Sequence, residues 1–436
     1  MTLPAKFVER VLRDLGGTEG AALCAALDAE PPVSVRLNPA KTGADTLPAG
    51  PDAGLPVPEA AGLPALAIAG RVPWSRDGRY LAVRPSFTLD PDFHAGAYYV
   101  QEASSQFVGH LLAAVRTEGA RILDLCAAPG GKTTLYASLA GPDGLVVANE
   151  IDRRRASVLA DNVRKWGTGN VAVTTCEPRA LGDFEAWFDV VAVDAPCSGE
   201  GMFRKDPDAR GEWSEGNVKQ CAARQDEILR EAWRALRPGG TLVYSTCTFN
   251  RDEDEGALER MAAWAGDEIA ESEETAVEDA WGIVCGRVGA FRTFRFYPHR
   301  TCGEGFFAAV ARKSFDAGGR VRAPKARRTV FAAVDRKTAG ELARWVRNPG
   351  GMRFAAVADT CYAWYAAQAD AVRTLSEALP VIYSGVALGQ VFKGVLKPDP
   401  ALAFFDGLNR GALPAAELDD EETLRFLRRQ DIAAGG

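Results

Sequence analysis

The feature that most constrains the fold is a regular alternation of short apolar runs and amphipathic segments in the middle of the chain. Apolar runs at residues 121–125, 145–150 and 189–194 have the length of buried strands. The segments between them, such as 156–166, place apolar residues three and four positions apart, which is the spacing of a helix that covers a sheet. Strands and helices that alternate over short turns form a mostly parallel sheet with helices on both faces. The sequence therefore predicts an α/β domain over about residues 91–315.

Polar and reactive side chains directly follow the predicted strands. In a parallel sheet covered by helices, ligands bind at the carboxyl ends of the strands. The residues at these positions are Asp124 to Lys132, Glu150, Glu177, Asp194 to Cys197, and Ser245 to Thr248. A lone acid at such a place is more often surface charge than a ligand contact, but here the whole set falls at one edge. The sequence therefore predicts a functional site at that edge.

The turn 126-CAAPGGKTT-134 joins a predicted strand to a predicted helix, where backbone N–H groups face a bound ligand. The P-loop pattern fails because Cys126 stands where its first glycine belongs, and the dinucleotide pattern G-x-G-x-x-G is absent. About 20 residues further on, Glu150 ends the second strand, where an acid can accept both hydroxyls of a ribose. A small-residue turn with such an acid suits an adenosine ligand without a pyrophosphate. S-adenosylmethionine is the common ligand of this kind and is the predicted cofactor.

Two cysteines end candidate strands, Cys197 in 194-DAPC-197 and Cys247 in 245-STC-247. Taken alone, each is more often a small core side chain. They are too far apart in sequence for a thioredoxin-type pair and too few for a zinc site. Beside a methyl donor, however, a thiolate that adds to carbon-6 of cytosine makes carbon-5 a nucleophile, and Asp194 can assist at ring N3. The residues alone leave open which thiol attacks.

The composition indicates the cellular setting. Nine cysteines without a C-x-x-C pair indicate free thiols in a reducing compartment, and they fit neither a disulfide framework nor a zinc cluster. The chain starts with an amphipathic, charged segment, and no apolar stretch is long enough to span a bilayer. We therefore expect a cytoplasmic monomer with no metal and no membrane association.

The formal net charge of −7 gives no general sign of a nucleic-acid partner. The charge is unevenly spread, however, because residues 312–328 hold seven basic side chains and one acidic side chain. A local basic patch is enough to attract phosphate, so RNA is not excluded. A solvated linker explains the same segment equally well, and residues 316–330 are predicted to be a basic linker.

The two ends of the chain form separate predicted units. Residues 1–90 are a small N-terminal module with a helical start, a Pro/Gly/Ala-rich stretch at 31–71 and a strand-like 34-SVRLNP-39. The residues predicted to share one face of the helical start are Phe7, Val11, Leu12 and Leu15. Residues 331–436 form a C-terminal domain, in which the alternation and paired glycines of 383–405 indicate short strands of a small barrel.

Five motifs occur in one order along residues 1–315: GAYYVQEASS, LDLCAAPGGKTT, ANEID, VDAPCSGEGMFRKDP and LRPGGTLVYSTCTFNRDEDE. In these motifs the chain resembles the bacterial RNA cytosine-carbon-5 methyltransferases of the Sun/Fmu and Nop/Nol group. The C-terminal segment around Gly385, Gly389, Lys393 and Pro398 resembles the PUA-like RNA-binding extension of that family's ribosomal-RNA branch. The resemblance implies a Rossmann-like S-adenosylmethionine-dependent domain between an N-terminal RNA-binding module and a PUA-like α+β domain.

The resemblance also implies roles for individual residues. Cys247 is the implied nucleophile, Cys197 helps to release the product, and Asp194 lies between cofactor and base. The implied cofactor contacts are Cys126, Ala127, Ala128, Pro129, Gly130, Gly131, Lys132, Glu150, Arg155, Glu177 and Asp194. Glu177 departs from the family, which usually has aspartate there.

Arg204 and Lys205 are predicted to contact RNA, and a solvated loop is the alternative. The implied substrate is small-subunit (16S) ribosomal RNA. Transfer RNA is the nearest alternative, and a non-catalytic RNA-binding assembly factor is the alternative from another class.

Overall fold

Three sheets organise the structure, a computed structural model that describes residues 2–42, 66–413 and 415–432. Part of the predicted irregular stretch 31–71, and the last residues of the predicted C-terminal domain, lie outside the described residues. A four-stranded, a ten-stranded and a five-stranded sheet follow one another along the chain. No helix among the described residues has the length and apolar character needed to cross a membrane.

The N-terminal module is a helical pair followed by an antiparallel sheet of strand order β2-β3-β1-β4. Its elements are α1 (Ala5–Leu15), α2 (Gly17–Ala26), β1 (Val33–Leu37), α3 (Pro39–Thr42), β2 (Ile68–Arg71), β3 (Gly78–Leu81), α4 (Pro91–Ala95) and β4 (Tyr98–Val100). The predicted helical start is confirmed, with a break at Gly16. Phe7 and Val11 are buried as predicted, whereas Leu12 is 37% exposed and does not belong to the buried face.

The central domain is built on the predicted strand and helix alternation. Its elements are α5 (Phe107–Ala113), β5 (Arg121–Asp124), α6 (Gly131–Ala140), β6 (Leu145–Asn149), α7 (Arg153–Trp166), β7 (Val171–Thr174), α8 (Pro178–Gly182), β8 (Phe188–Asp194), α9 (Pro207–Glu212), α10 (Glu215–Ala235), β9 (Leu236–Thr246), α11 (Glu255–Ala265), β10 (Ile269–Ala270), β11 (Val284–Val288), β12 (Phe291–Phe296) and β13 (Phe306–Lys313). Strands β9, β8, β5, β6 and β7 lie side by side and parallel, and β13, β12 and β11 extend the sheet antiparallel.

The strand order changes direction between β5 and β8. From β5 the chain moves outward through β6 and β7, then returns to β8 on the other side and continues to β9. Such a switch point opens a crevice beyond the carboxyl ends of the strands. The predicted α/β fold is therefore confirmed, and its crevice lies where the sequence places the polar clusters.

The glycine-containing segment 237-RPGG-240 lies within β9. Strand β9 pairs with β8 from Leu236 onward, and the register shifts before Val190 meets Thr241. Gly239 has φ +73°, a conformation that glycine adopts without strain. The glycines therefore form an irregularity in the strand, after which β9 runs regularly to the Cys247 loop.

The C-terminal region is an α+β unit that shares a strand with the central sheet. Its elements are β14 (Ala332–Ala333), α12 (Arg336–Ala343), β15 (Met352–Val357), β16 (Thr360–Tyr365), α13 (Ala369–Ala378), β17 (Val381–Ser384), β18 (Val386–Phe392), β19 (Val395–Pro398), α14 (Pro400–Phe404) and α15 (Asp420–Leu427). The antiparallel five-stranded sheet has the order β14-β15-β16-β18-β19, whereas β17 pairs with β7 of the central sheet. Strand structure in 383–405 is confirmed for β18 and β19, but Tyr383 and Ser384 belong to the central sheet.

Gly385 is the point at which the chain passes from one sheet to the other. Its φ is +61°, and a Cβ there would lie 2.4 Å from the carbonyl oxygen of Ala363. Helix α13, just before β17, packs Val372 and Leu375 into the same core as Leu181 of the central domain. The C-terminal unit is therefore joined to the central domain by a shared strand and a shared core.

Candidate active site

The two predicted thiols lie side by side beyond neighbouring parallel strands. Cys197 follows β8 and Cys247 follows β9, and the two strands are in register at Asp194 and Ser245. The Sγ atoms of the two cysteines are 3.2 Å apart, and the backbone N–H of Cys247 points to Cys197 Sγ at 3.4 Å. The residues in the DAPC and STC motifs therefore form one site, although 50 positions separate the two cysteines in the sequence.

The thiol of Cys197 is held in its neutral form. The hydrogen bond between the two thiols is the largest influence that raises the pKa of Cys197, and burial raises the pKa further. A neutral thiol at this distance can donate its hydrogen to Cys247 Sγ. Cys197 is therefore placed to stabilise negative charge on the sulfur of Cys247.

Asp194 lies at the end of β8 with both carboxylate oxygens engaged. Lys132 Nζ donates to Oδ2 at 2.8 Å, and Ser245 Oγ donates to Oδ1 at 2.7 Å. Burial lowers the pKa of Lys132, but the combined attraction of nearby negative groups, Asp194 foremost, more than offsets burial and leaves the pKa above its ordinary value. Lys132 is therefore a fixed positive charge that connects the turn after β5 with the carboxylate after β8.

A buried polar network lies behind the thiols. It connects the loop after β8, which holds Cys197 (the Cys197 loop), to the loop after β9, which holds Cys247 (the Cys247 loop). The sequence did not predict this network. Glu253 accepts from the backbone N–H of Ser198 at 2.9 Å and from Gln225 Nε2 at 3.0 Å. Asn250 Nδ2 donates to Glu253 at 2.6 Å and to Thr248 at 2.7 Å. The acidic run RDEDE after the STC motif is visible in the sequence. A run of charged residues does not show, however, that the side chain of Glu253 points inward.

The turn after β5 has the features of a ligand cradle. Helix α6 begins at Gly131 after Gly130, and no side chain caps it, so the N–H groups of its first turn have no intrahelical acceptor. Ala127 is tied to the next strand, because its N–H donates to the carbonyl of Asn149 at 2.8 Å. Arg155 Nη2 donates to the carbonyl of Ala128 at 3.1 Å, at the opposite rim of the turn.

Glu150 is buried at the end of β6, as its predicted role requires. One carboxylate oxygen accepts from the N–H of Asp152 at 3.0 Å, and the other pairs with Arg155 Nη1 at 3.3 Å. Glu150 and Arg155 therefore lie together at the rim of the turn. Glu177 follows β7 at the start of α8, where its side chain is exposed and caps no backbone N–H.

The predicted RNA contacts differ in their surroundings. The side chain of Arg204 is only 6% exposed, and its guanidinium donates to Glu304 at 3.0 Å and to the carbonyl of Gly303 at 2.6 Å. Lys205 is 33% exposed, with its Nζ 4.0 Å from the same carboxylate. Contact with RNA stays a prediction for both residues, and Lys205 is the more accessible of the two.

The basic segment 312–328 is packed in part against the protein. Arg312 pairs with Glu273, and Lys313 Nζ donates to the carbonyls of Trp233 and Leu236. The Arg328 guanidinium donates to two carbonyls near the end of α13. The exposed basic side chains of the segment include Arg320, Arg322, Lys325 and Arg327. Within the described residues, no group of three or more His, Cys, Asp or Glu side chains could hold a metal ion.

The raised pKa of Asp124, which lies at the end of β5 next to the turn, can be tested through the pH dependence of stability. Burial raises the pKa of Asp124 to about 7, and the hydrogen bond that Thr133 donates to Oδ2 at 2.7 Å only partly opposes this. A carboxyl with a raised pKa contributes stability below its unfolded value of 3.8 and loses that contribution as pH rises through 7. Asp124→Asn keeps the shape and cannot ionise. We expect it to raise the free energy of unfolding relative to wild type by a few kcal/mol more at pH 8 than at pH 5.

Chemical denaturation of both proteins at the two pH values measures this difference. Thr133→Val is the matched control, because it removes the hydrogen-bond donor and leaves the carboxyl of Asp124. The free energy of unfolding of this variant should still depend on pH, as it does in the wild type. An equal effect of Asp124→Asn at pH 5 and pH 8 would mean that Asp124 does not titrate between them.

Solved structures share the central architecture. A methyltransferase homologue from Pyrococcus horikoshii is 26% identical, with a TM-score of 0.56 over 71% of this chain and 100% of that one. NSun6 from Pyrococcus horikoshii has a TM-score of 0.57 over 71% of this chain and 98% of that one, and at 20% identity it supports the fold alone. Together with the strand-end site, the fold defines a Rossmann-like α/β methyltransferase domain.

Two family models match adjoining parts of the chain. Residues 3–103 match the N-terminal domain of 16S rRNA methyltransferase RsmF, and residues 111–312 match 16S rRNA methyltransferase RsmB/F. Because the two matches together cover more than two thirds of the chain, the protein belongs to the RsmB/F family. This confirms the resemblance found in the motifs. Neither match extends into the C-terminal unit, for which the PUA-like fold stays a prediction.

Curated relatives carry the same family name. Ribosomal RNA small subunit methyltransferase F of Shewanella loihica is 35% identical over 293 residues, which are 65% of this chain and 59% of that one. The protein of that name in Citrobacter koseri is 38% identical over 249 residues, 56% of this chain and 51% of that one. The chain thus spans between half and three fifths of the length of these relatives.

Proposed function

We propose that the protein transfers a methyl group from S-adenosylmethionine to carbon-5 of cytosine in RNA, through a covalent bond between Cys247 and the base. The observation that carries this proposal is the pair of thiols 3.2 Å apart at the strand ends that also hold Asp194. Methylation of an amino group needs no thiol, whereas carbon-5 of cytosine must first be activated by addition at carbon-6.

The cradle after β5 fits the proposed cofactor. The uncapped first turn of α6 offers N–H donors to an anionic group such as the methionine carboxylate. Glu150, buried at the end of the next strand, offers carboxylate oxygens to ribose hydroxyls, with Arg155 beside it. The turn residues Cys126 to Lys132 would hold the ligand backbone, and Glu177 would lie at the adenine. When bound, this cofactor supplies an electrophilic methyl group.

The residues of the site divide the chemistry between them. The Asp194 carboxylate takes the thiol proton of Cys247 through water, and Cys247 Sγ then bonds to carbon-6. Electrons of the ring double bond move toward N3, which takes that proton from Asp194. Lys132 and Ser245 then stabilise the carboxylate left on Asp194, at 2.8 and 2.7 Å. Carbon-5 takes the methyl group and loses its proton to water. The bond from sulfur to carbon-6 breaks, and N3 returns its proton through Asp194 to the sulfur of Cys247.

Cys197 acts at the release step in this scheme. Its neutral thiol donates to the departing sulfur of Cys247, which lowers the energy of the leaving thiolate. The same hydrogen bond keeps the sulfur of Cys247 oriented before the base arrives. Cys197 therefore promotes turnover, while Cys247 forms the bond.

The proposed substrate is 16S ribosomal RNA, because the matched family descriptions name 16S rRNA and the relatives' names refer to small-subunit ribosomal RNA. Bacterial ribosomal RNA is cytoplasmic, which is the location that we infer for the protein. Lys205 and the exposed basic side chains of 316–330 would contact phosphates. The target cytosine must be unpaired or flipped out of a helix to reach the thiols, so RNA shape contributes to its selection.

The experiment that tests this function uses labelled S-adenosylmethionine. The full chain is incubated with 30S subunits, free 16S RNA or transfer RNA that lack 5-methylcytosine, and the products are digested to nucleosides. We expect label in 5-methylcytidine from 16S RNA, alone or in subunits. Label only in transfer RNA would replace the proposed substrate, and binding to RNA without any label would indicate an assembly factor.

A further inference from the structure

A buried carboxylate just behind the two thiols ties three parts of the chain together. Glu200 has a fully buried side chain and lies three residues after Cys197. Its carboxylate accepts from the backbone N–H of Phe249 at 3.1 Å and from Asn250 Nδ2 at 3.1 Å, both just after Cys247. Glu200 therefore links the loop of one cysteine to the loop of the other.

The positive partner of this carboxylate comes from the N-terminal module. The guanidinium of Arg10, on α1, donates to Glu200 Oε1, the atom that also accepts from Trp213 Nε1 at 2.9 Å. The Arg10 side chain is 14% exposed and lies over the Trp213 ring, with its Cζ 5.3 Å from the ring centroid. Removal of one member of a charge pair that is so little exposed to solvent is strongly destabilising, because the remaining charge is left buried without a partner.

Apolar packing fixes α1 on the same two loops. The ring of Phe7 meets Phe203 of the Cys197 loop edge to face at 5.0 Å and Phe249 of the Cys247 loop at 6.4 Å. Between the loops, the N–H of Gly201 donates to the carbonyl of Cys247 at 2.8 Å. The first helix of the chain thus contacts both loops at the level of the thiols.

We propose that Arg10 is a positioning residue for the reaction, which acts through Glu200 to hold the loops of Cys197 and Cys247 at the spacing that the chemistry needs. This inference rests on the proposed function. It gives the N-terminal module a second role besides RNA binding. If RNA contacts or displaces α1, the relative position of the two thiols would change. Without Arg10, Glu200 is left as an unpaired buried charge, and its bonds to Phe249 and Asn250 weaken.

The expected effect is on the chemical steps and not on cofactor binding. Misplacement of reacting groups by about 1 Å costs a reaction on the order of 10²-fold. We therefore expect Arg10→Met to lower kcat by about 10²-fold, with KM for RNA and the dissociation constant of S-adenosylmethionine within about twofold of wild type. Arg10→Lys keeps the charge without the planar fork and should retain more of kcat than Arg10→Met.

A matched control lies on the same helix. Arg13 is 71% exposed and pairs with the adjacent Asp14, so Arg13→Met removes the same kind of side chain away from the two loops. The experiment measures kcat, KM for 16S RNA and cofactor affinity for the full-length wild type, Arg10→Met, Arg10→Lys and Arg13→Met, with circular dichroism of each protein.

The outcomes separate this inference from the proposed function. The inference is supported if the wild type methylates RNA and kcat falls selectively in Arg10→Met, falls partly in Arg10→Lys and does not fall in Arg13→Met. If Arg10→Met does not fold, the comparison of Arg10→Lys with Arg13→Met decides, and equal kcat values overturn the inference. Unchanged kcat in Arg10→Met, or a change confined to KM for RNA, also overturns it. Absence of methylation by wild type would instead contradict the proposed function.

Discussion

Cys247→Ala should abolish methyl transfer while the protein remains folded and able to bind S-adenosylmethionine. The neighbouring thiol, Cys197 Sγ at 3.2 Å, does not replace Cys247 at carbon-6, because burial raises the pKa of Cys197 and keeps that thiol neutral. Loss of an attacking nucleophile lowers enzymatic rates by on the order of 10⁴-fold or more. Transfer of label from S-adenosylmethionine to 16S RNA under single-turnover conditions measures this loss.

An exposed cysteine provides the control for loss of a thiol as such. Cys285 lies on β11 with an exposed side chain, away from the strand-end site. Cys285→Ala should methylate RNA at the wild-type rate. If Cys247→Ala keeps substantial activity, Cys247 is not the nucleophile.

Cys197→Ala should accumulate a covalent complex of protein and RNA. This variant keeps the attacking sulfur and loses the neutral thiol that donates to it when it leaves. Loss of a positioned proton donor slows the step that it assists by roughly 10²-fold or more, so release becomes slower than addition. Denaturing gel electrophoresis with labelled RNA should show a slowly migrating band that contains both protein and RNA.

The double variant separates a specific adduct from nonspecific crosslinking. Cys197→Ala combined with Cys247→Ala should give no band, because no sulfur remains to bond to carbon-6. Normal turnover by Cys197→Ala, with no trapped complex, would remove Cys197 from the release step.

The position of the site could be predicted because it follows from sheet geometry. Parallel neighbours place their carboxyl ends at one edge, so residues just after apolar runs converge whatever their sequence separation. This rule brings Asp194, Cys197 and Cys247 together, as the structure shows. The different roles of the two thiols came from the family resemblance, because both follow strands in the same way.

Ion pairs between residues that are distant in the sequence could not be predicted, because they produce no periodic pattern. Arg10 and Glu200 are 190 residues apart, and each has the appearance of an ordinary surface charge along its own segment. Arg204 is predicted to contact RNA, and the sequence did not show that its guanidinium pairs with Glu304, 100 residues away. Long-range charge pairing depends on the tertiary structure, so local patterns do not reveal it.

The shared strand β17 escaped prediction for a related reason. Residues 381–384 form a short, largely apolar run that suits a strand, but such a run does not show which sheet the strand joins. The structure pairs them with β7, and Thr175 N–H donates to the Pro380 carbonyl at 3.2 Å at the end of that ladder. A boundary drawn at residue 331 from the apolar pattern therefore separates residues that share a core.

The most direct test of the central claim identifies the atom that bonds to RNA. The complex trapped with Cys197→Ala is digested with nuclease and protease, and the modified peptide is sequenced by mass spectrometry. We predict a single cross-linked residue, Cys247, whose sulfur carries a cytidine with a methyl group on the base. Attachment at any other residue, or methylated RNA from this variant without any attached peptide, would contradict the proposed mechanism.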